Sequence, residues 1–233
     1  MLLEVKNLKA GYGNKQVLHD VSFSVNEGEI VALIGHNGAG KSTTLQATFG
    51  LITPSSGQVI YDGLDITYAP PKLKLEKGIY HIPQDRYIFN DLAVKDNLEL
   101  SSFTMVDQSK IKINLKNIYN IFPVLNSRQN QLAGTLSGGE RRLLGIAMGL
   151  LREPKLLMLD EPSSGLSPVA FQNVIKVIQD INKRQKTAVF IVEQNVKSAF
   201  KISERVYVMK AGSIILEETS QKLLERNEWW DLF

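Results

Sequence analysis

The spacing of hydrophobic and polar positions changes along this chain. Apolar and polar residues alternate over Leu2–Leu8 and over Val17–Val25, which predicts two strands with one buried face, joined by a turn over 10–14. Gln58–Ile66 predicts a hairpin, because Asp62-Gly63 is a favoured two-residue turn. Three further segments are almost wholly apolar and predict strands buried on both faces of a parallel sheet: Ile30–Ile34, Lys155–Asp160 and Thr187–Val192.

Residues from about Val94 to Gln131 follow the spacing of helices instead. Ile111, Leu115 and Ile118 lie three or four positions apart, so they share one face of a helix. Strand signals are weak in this segment, and 105–110 predicts a flexible link. We therefore predict an α/β protein with a mostly parallel sheet, an antiparallel amino-terminal part and a helical insert.

A glycine-rich loop, Gly35–Thr43 (GHNGAGKST), connects the first buried segment to the start of a predicted helix. It matches G-x-x-x-x-G-K-[ST], in which glycines let backbone N–H groups surround a phosphate and the helix N-terminus adds further donors. Lys41 has the length and charge to reach the β- and γ-phosphates, and the Ser42 hydroxyl is a ligand for Mg²⁺. The predicted phosphate-binding residues are Gly35, His36, Asn37, Gly38, Ala39, Gly40, Lys41, Ser42 and Thr43.

Polar side chains also follow three other predicted strands. Asp160 and Glu161 end one of them, where an Asp beside a phosphate loop holds Mg²⁺ and an adjacent Glu accepts a proton from the attacking water. Gln84 ends a short strand predicted over 78–84, and it is either a solvated loop residue or a further Mg²⁺ ligand. Gln194 follows another strand at the same edge of the sheet, where such folds place their chemistry.

Two features have both a structural and a functional interpretation. Ser137 precedes two glycines and predicts the N-cap of a helix, which is either an ordinary surface helix or a second anion-binding helix end. Tyr12 is either a strand-edge tyrosine or an aromatic that stacks on adenine.

Composition limits the possible functions. The net charge of +3 is too small to predict nucleic-acid binding, and with 0 cysteines there are neither disulfides nor thiolate metal sites. No apolar run approaches the ~18 residues that a membrane span requires, and the amino terminus lacks the apolar segment of a signal peptide. A membrane role is therefore expected to act through a partner. The Trp229-Trp230 pair either packs on the chain itself or contacts a partner.

Together these motifs resemble the ATP-binding subunits of ABC transporters over nearly the whole chain. The loop over 35–43 is similar to the Walker A motif of that family, LSGGE (136–140) to its signature, LLMLDE (156–161) to its Walker B strand with the catalytic glutamate, and SGLSP (164–168) to its D-loop. The resemblance implies one ABC ATPase domain over 1–233, with a helical subdomain at about 94–152 inserted in a RecA-like core.

The resemblance also implies a division of roles. Two ATPase domains, either two copies or this chain and a paralogue, close head to tail around two ATP molecules. The signature residues Ser137, Gly138 and Gly139 of one chain then face the γ-phosphate held by the Walker A loop of the other. The implied catalytic residues are Glu161, Gln194 and Lys41, the implied Mg²⁺ ligands are Ser42, Gln84 and Asp160, and Tyr12 takes the adenine-stacking position.

One difference from most members of the family indicates which subgroup the chain resembles. Most members have a histidine where this chain has Gln194, in VEQN, and glutamine does not titrate near neutral pH although it still hydrogen-bonds a phosphate. VEQN resembles the ATPases of branched-chain amino acid importers, and relatives that serve urea, amides or lipopolysaccharide export are similar.

The resemblance therefore implies an ATP hydrolase that uses ATP and Mg²⁺. It is expected to lie on the cytoplasmic face of the cell membrane and to drive amino acid uptake through separate transmembrane permease subunits, with no nucleic acid bound. One alternative is an ABC ATPase of translation or DNA repair, but the coiled coils or zinc inserts expected of such proteins are not evident in the sequence. The other is a P-loop kinase, in which the LSGGE motif would have no function.

Overall fold

The computed structural model describes residues 1–85, 88–103, 105 and 107–225, and within these ranges the chain forms two β-sheets and nine α-helices. The strands are β1 (Leu3–Tyr12), β2 (Lys15–Val25), β3 (Ile30–Ile34), β4 (Ser56–Tyr61), β5 (Leu64–Asp65), β6 (Ile79–Ile82), β7 (Leu156–Asp160), β8 (Ala188–Glu193), β9 (Arg205–Lys210) and β10 (Ser213–Thr219). The helices are α1 (Lys41–Phe49), α2 (Pro71–Glu76), α3 (Val94–Ser101), α4 (Gln108–Ile121), α5 (Pro123–Ser127), α6 (Gly138–Leu150), α7 (Pro168–Gln185), α8 (Val196–Ile202) and α9 (Ser220–Glu225).

The two sheets have the predicted directions. The amino-terminal sheet is antiparallel, in the order β2-β1-β4-β5. The larger sheet has the order β10-β9-β3-β8-β7-β6, and its strands are parallel except for β10. The predicted fold class is therefore confirmed. This order brings the carboxyl ends of β3, β6, β7 and β8 to one edge, and the loops that follow them carry the candidate residues.

The larger sheet is covered on both faces. Every residue of β3, β7 and β8 is buried, as expected for central parallel strands. On one face the sheet packs against the amino-terminal sheet, with the rings of Phe23 and Phe190 stacked at 4.5 Å. On the other face it packs against α6 and α7 through residues such as Leu144 and Ile178.

The predicted turn over 10–14 is wrong for its first three residues. β1 continues through Tyr12, which pairs with Lys15, and only Gly13 and Asn14 turn. A Cβ on Gly11 would lie 2.1 Å from the carbonyl oxygen of Lys15. The glycine therefore permits a close approach of two strands rather than a turn, and Tyr12 is held at the end of a paired strand.

Helices occupy the chain between β6 and β7, where the sequence predicts the helical insert. The predicted link over 105–110 is too long, because α4 begins at Gln108. The Asp107 side chain accepts hydrogen bonds from the backbone N–H groups of Ser109 and Lys110 and so acts as the N-cap. In the described ranges, no helix is both long and apolar enough to cross a bilayer. The Trp229-Trp230 pair lies outside the described residues.

Lys74 of α2 is fully buried at the carboxyl end of α1, where its Nζ donates a 2.8 Å hydrogen bond to the carbonyl oxygen of Thr48. Burial lowers the pKa of Lys74 from 10.5 to about 8, against the opposing charge of Asp65. Between these two values the unfolded chain binds more protons than the native protein, so the stability contributed by this group rises with pH.

We expect this pH dependence to disappear in Lys74→Met. Between pH 8 and pH 10.5, the free energy of unfolding should rise by about 2 kcal/mol more in the parent protein than in the variant, after allowance for solvent screening. Urea unfolding at both pH values measures the difference. Parallel pH profiles would show that Lys74 is not titrating in this range.

Candidate functional site

A cavity of about 660 Å³ lies at the carboxyl edge of the larger sheet. The glycine-rich loop and the first turn of α1 line one side of it, and the residues after β6, β7 and β8 reach it from the others. The β1–β2 hairpin contributes its rim through Tyr12 and Lys15. The predicted site residues that line the cavity are Tyr12, Asn37, Gly38, Gly40, Lys41, Ser42, Thr43, Gln84, Glu161 and Gln194.

The glycine-rich loop closes around the Lys41 ammonium group. Lys41 is buried, and its Nζ donates to the carbonyl oxygens of Gly35 at 2.9 Å and His36 at 3.1 Å. Gly40 has a φ of +107°, a conformation that side chains with a Cβ avoid. The loop therefore holds a positive charge at the N-terminal end of α1, where the helix dipole also favours an anion. His36 and Ala39 line a smaller neighbouring cavity instead.

Ser42 and Asp160 are in direct contact. The Ser42 hydroxyl donates a 3.0 Å hydrogen bond to Asp160 Oδ1. Burial raises the pKa of Asp160, an effect opposed by this hydrogen bond and by the charge of Lys41. The pair presents a hydroxyl and a carboxylate oxygen, the ligand types that Mg²⁺ prefers, so the residues fit this ion.

Gln84, the third predicted Mg²⁺ ligand, contacts different partners. Its amide Nε2 donates to Glu161 Oε2 and to the Ser164 hydroxyl, both at 3.2 Å. The structure thus divides the predicted set, with Ser42 and Asp160 on one side and Gln84 beside the carboxylate of Glu161.

Glu161 is buried and has an unusual backbone. Its φ is +43°, in the left-handed region that non-glycine residues rarely adopt and that costs about 1 kcal/mol or more. A 2.9 Å hydrogen bond from its N–H to the carbonyl oxygen of Val192 holds it there. Its carboxylate lies 3.6 Å from Lys41 Nζ. A strained backbone and two side-chain partners, Lys41 and Gln84, therefore hold the carboxylate beside the glycine-rich loop.

Arg142, which sequence reasoning did not assign to the site, joins α6 to two of these loops. Its guanidinium is buried and donates to the carbonyl oxygens of Pro83, Gln84 and Glu161 at 3.2, 3.1 and 3.4 Å. The sequence carried a signal, since Arg142 lies four positions before the buried Ile146 and thus on the apolar stripe of its helix.

Glu193 precedes Gln194 at the predicted edge of the sheet, but the sequence assigned it no role. It is buried at the end of β8 and accepts hydrogen bonds from the backbone N–H of Ser163 at 2.9 Å and from its hydroxyl at 2.7 Å. Burial raises the pKa of Glu193, and the bonds from Ser163 oppose the rise. The available signal was a carboxylate at the end of an apolar run. These bonds fix the turn that follows Glu161.

The signature residues lie apart from the cavity that contains Lys41. Ser137 caps α6 by accepting from the N–H of Glu140 at 3.3 Å, and Glu140 Oε2 accepts from the Ser137 N–H at 2.9 Å, which forms a capping box. Gly138 lines a separate cavity of about 410 Å³ together with Ser164. None of Ser137, Gly138 and Gly139 lines the cavity that contains Lys41, so within one chain they are not brought to the glycine-rich loop.

Tyr12 is half-exposed at the rim of the first cavity, with 52% of its surface accessible. Its hydroxyl donates a 2.9 Å hydrogen bond to Gln46 Oε1 of α1. The ring is thus tied to α1 at the rim of the cavity.

The amino-acid sequence matches a known family. The sequence profile described as ABC transporter matches residues 18–164. The chain belongs to the ABC transporter family. The sequence resemblance to ABC ATPases is therefore confirmed. We call the loop around Lys41 the Walker A loop, after the family motif that it resembles.

Alignments with similar proteins cover almost the whole of this ABC ATPase. It is 40% identical to the high-affinity branched-chain amino acid transport ATP-binding protein BraG of Pseudomonas aeruginosa, covering 96% of this chain and 95% of that protein. It is 38% identical to the probable branched-chain amino acid transport ATP-binding protein LivF of Archaeoglobus fulgidus, covering 98% and 96%. Identity is 36% to the lipopolysaccharide export system ATP-binding protein LptB of Haemophilus influenzae, covering 96% and 92%.

Solved structures have the same fold. The crystal structure of the ADP conformation of an ATP-binding cassette of an ABC transporter matches with a TM-score of 0.88 and 25% identity, covering 99% of this chain and 97% of that one.

Proposed function

We propose that this chain is the ATP-hydrolysing subunit of a transporter that takes up branched-chain or related amino acids. It acts on the cytoplasmic face of the cell membrane through separate permease subunits. The observation that carries the proposal is the convergence of Lys41, Gln84 and Glu161 on one cavity. The substrate class is supported by the names of the BraG and LivF relatives. Lipopolysaccharide export is the second candidate, because LptB is similar at lower identity.

The Walker A loop binds the phosphates of ATP. Lys41 exchanges its bonds to the carbonyl oxygens of Gly35 and His36 for bonds to phosphate oxygens, which are stronger acceptors. Ser42 and Asp160 would hold Mg²⁺, and the side-chain amide oxygen of Gln84 would supply a further ligand while its Nε2 stays on Glu161. When bound, the ion neutralises charge on the β- and γ-phosphates.

Glu161 acts as the general base for the attacking water. Lys41 and Gln84 orient its carboxylate, and its buried position limits the competing solvent. Gln194 hydrogen-bonds the γ-phosphate but does not titrate, so the proton of the water goes to Glu161.

A complete site requires a second ATPase domain. Gly138 lines a second cavity, and none of Ser137, Gly138 and Gly139 lines the cavity that contains Lys41, so one chain supplies two half-sites. Head-to-tail pairing with a copy or a paralogue places each signature helix against the γ-phosphate held by the other domain. Arg142 links this helix to Gln84 within the chain. The Gln84 loop docks the permease in this proposal, so closure of the pair is transmitted to the permease through that loop.

The test is a pull-down of tagged Glu161→Gln with ATP from detergent-solubilised membranes of the organism that encodes the chain. We expect two membrane subunits and a second ATPase domain, because slow hydrolysis holds the complex closed. A genomic or proteomic link of those subunits to an amino-acid-binding protein would support the substrate class. Recovery of lipopolysaccharide-export components would favour the second candidate, and recovery of ribosomes or nucleic acid would overturn the transport proposal.

A further inference from the structure

The signature helix α6 carries a negative charge close to its N-terminus. Glu140 is the third residue of this helix, and its carboxylate accepts the N–H of Ser137. That hydrogen bond holds the pKa of Glu140 below its ordinary value, so the group is ionised at neutral pH. Under the proposed function, an ATP γ-phosphate approaches this same helix end, and an uncompensated carboxylate there would repel it.

Arg128 lies where it compensates this charge. Its Nε is 3.2 Å from Glu140 Oε1, on the carboxylate oxygen that Ser137 does not use. Its Nη1 donates to Gln131 Oε1 at 3.0 Å, and Gln131 Nε2 donates to the Thr135 hydroxyl at 2.8 Å. These bonds tie the segment between α5 and α6 together and hold the guanidinium on the carboxylate.

The ion pair is partly exposed, so its effect on phosphate binding can be tested without loss of the fold. The side chains of Arg128 and Glu140 are 42% and 19% exposed. Ion pairs as exposed as this contribute little to the stability of a fold, because solvent screens the attraction. A neutral residue at position 128 therefore leaves the fold intact but leaves the charge of Glu140 facing the incoming phosphate.

We propose that Arg128 is a positioning residue of the Ser137 half-site. Its guanidinium neutralises and orients the Glu140 carboxylate, so that the N-terminus of α6 accepts the γ-phosphate of an ATP molecule held by the partner domain. This inference rests on the proposed function, and it adds a residue that acts on ATP through Glu140 rather than by contact.

The test is a charge-compensation series, read as the KM for ATP and the kcat of the assembled transporter complex. Arg128→Gln should raise KM about fivefold with kcat changed less than about twofold, because ATP binding across the interface is weakened. Arg128→Lys keeps the charge and should restore KM to within about twofold of the parent. In the Glu140→Gln background, which has no carboxylate to neutralise, Arg128→Gln should change KM by less than about twofold.

Lys110→Gln is the matched control. Lys110 forms a 2.8 Å ion pair with Glu153, and the two side chains are 51% and 47% exposed. Loss of this similar pair, away from the signature helix, should change neither KM nor kcat. Thermal unfolding midpoints of all variants should agree within a few degrees.

The outcomes separate this inference from the proposed function. If Arg128→Gln raises KM equally in the parent and in the Glu140→Gln background, or leaves KM unchanged while Ser137→Ala impairs hydrolysis, charge compensation by Arg128 is wrong and the two-chain site stands. If Ser137→Ala also has parent KM and kcat, the signature helix does not contact ATP, and the proposed two-chain site itself fails.

Discussion

Glu161→Gln is expected to slow ATP hydrolysis by about 10²-fold or more and to trap the ATP-bound, closed pair of ATPase domains. The amide keeps the size of the side chain and its contact with Gln84, but it does not accept a proton from water. ATP binding should be retained, because the Walker A loop is untouched. Phosphate release under single-turnover conditions measures the chemical step, and size-exclusion chromatography with ATP measures the trapped pair.

Glu193→Gln is the appropriate comparison for that variant. Glu193 is also a buried carboxyl at the end of a neighbouring strand, but its partner is Ser163 rather than Lys41, and it does not line the Walker A cavity. We expect it to reduce the rate by less than about tenfold, as for loss of one hydrogen bond to a charged group. If both variants lose activity equally, or if Glu161→Gln hydrolyses ATP at the parent rate, Glu161 is not the base.

The location of the candidate site could be predicted from the sequence, because the order of parallel strands decides which loops meet at one edge of the sheet. Uninterrupted apolar runs over Ile30–Ile34 and Thr187–Val192 mark central parallel strands, and the polar residues after them must then share one edge of the sheet. The contacts of Ser42 with Asp160 and of Gln84 with Glu161 arise from that edge. The Ser137 cap was predictable for a different reason, because a helix cap depends only on local sequence.

Features that depend on distant backbone were not predictable. Gly11 looked like a turn residue, but the strand that approaches it is specified by the pairing of β1 with β2. The left-handed backbone of Glu161 depends on a hydrogen bond to a carbonyl group of β8. The hydrogen bonds of Arg142 depend on which carbonyl groups of two loops lie beside α6. Local patterns report which face of an element is buried, but they do not report which backbone groups lie opposite it.

The second large effect is expected from Lys41→Ala. Lys41 supplies the charge at the centre of the Walker A loop, and loss of its charge-assisted bonds to phosphate should weaken ATP binding by about 10²-fold, equivalent to about 3 kcal/mol. Binding of a fluorescent ATP analogue to the purified chain measures affinity directly, and ATPase activity of the assembled complex should fall with it. Because the buried Glu161 carboxylate also loses its cation, thermal unfolding should be measured in parallel.

Lys74→Met is the control that tests whether the position of Lys41, rather than the loss of any buried lysine, accounts for the effect. Lys41 and Lys74 are both buried lysines that donate to backbone carbonyl groups, but they lie at opposite ends of α1. A cation at the carboxyl end of the helix satisfies Thr48 and does not face the phosphates, so Lys74→Met should change ATP affinity by less than about twofold although it alters the pH dependence of stability. Equal losses of affinity in the two variants would mean that ATP binding responds to the stability of α1 as a whole. Near-parent affinity and activity in Lys41→Ala would remove Lys41 from phosphate binding, and only a selective loss in that variant supports its assigned role.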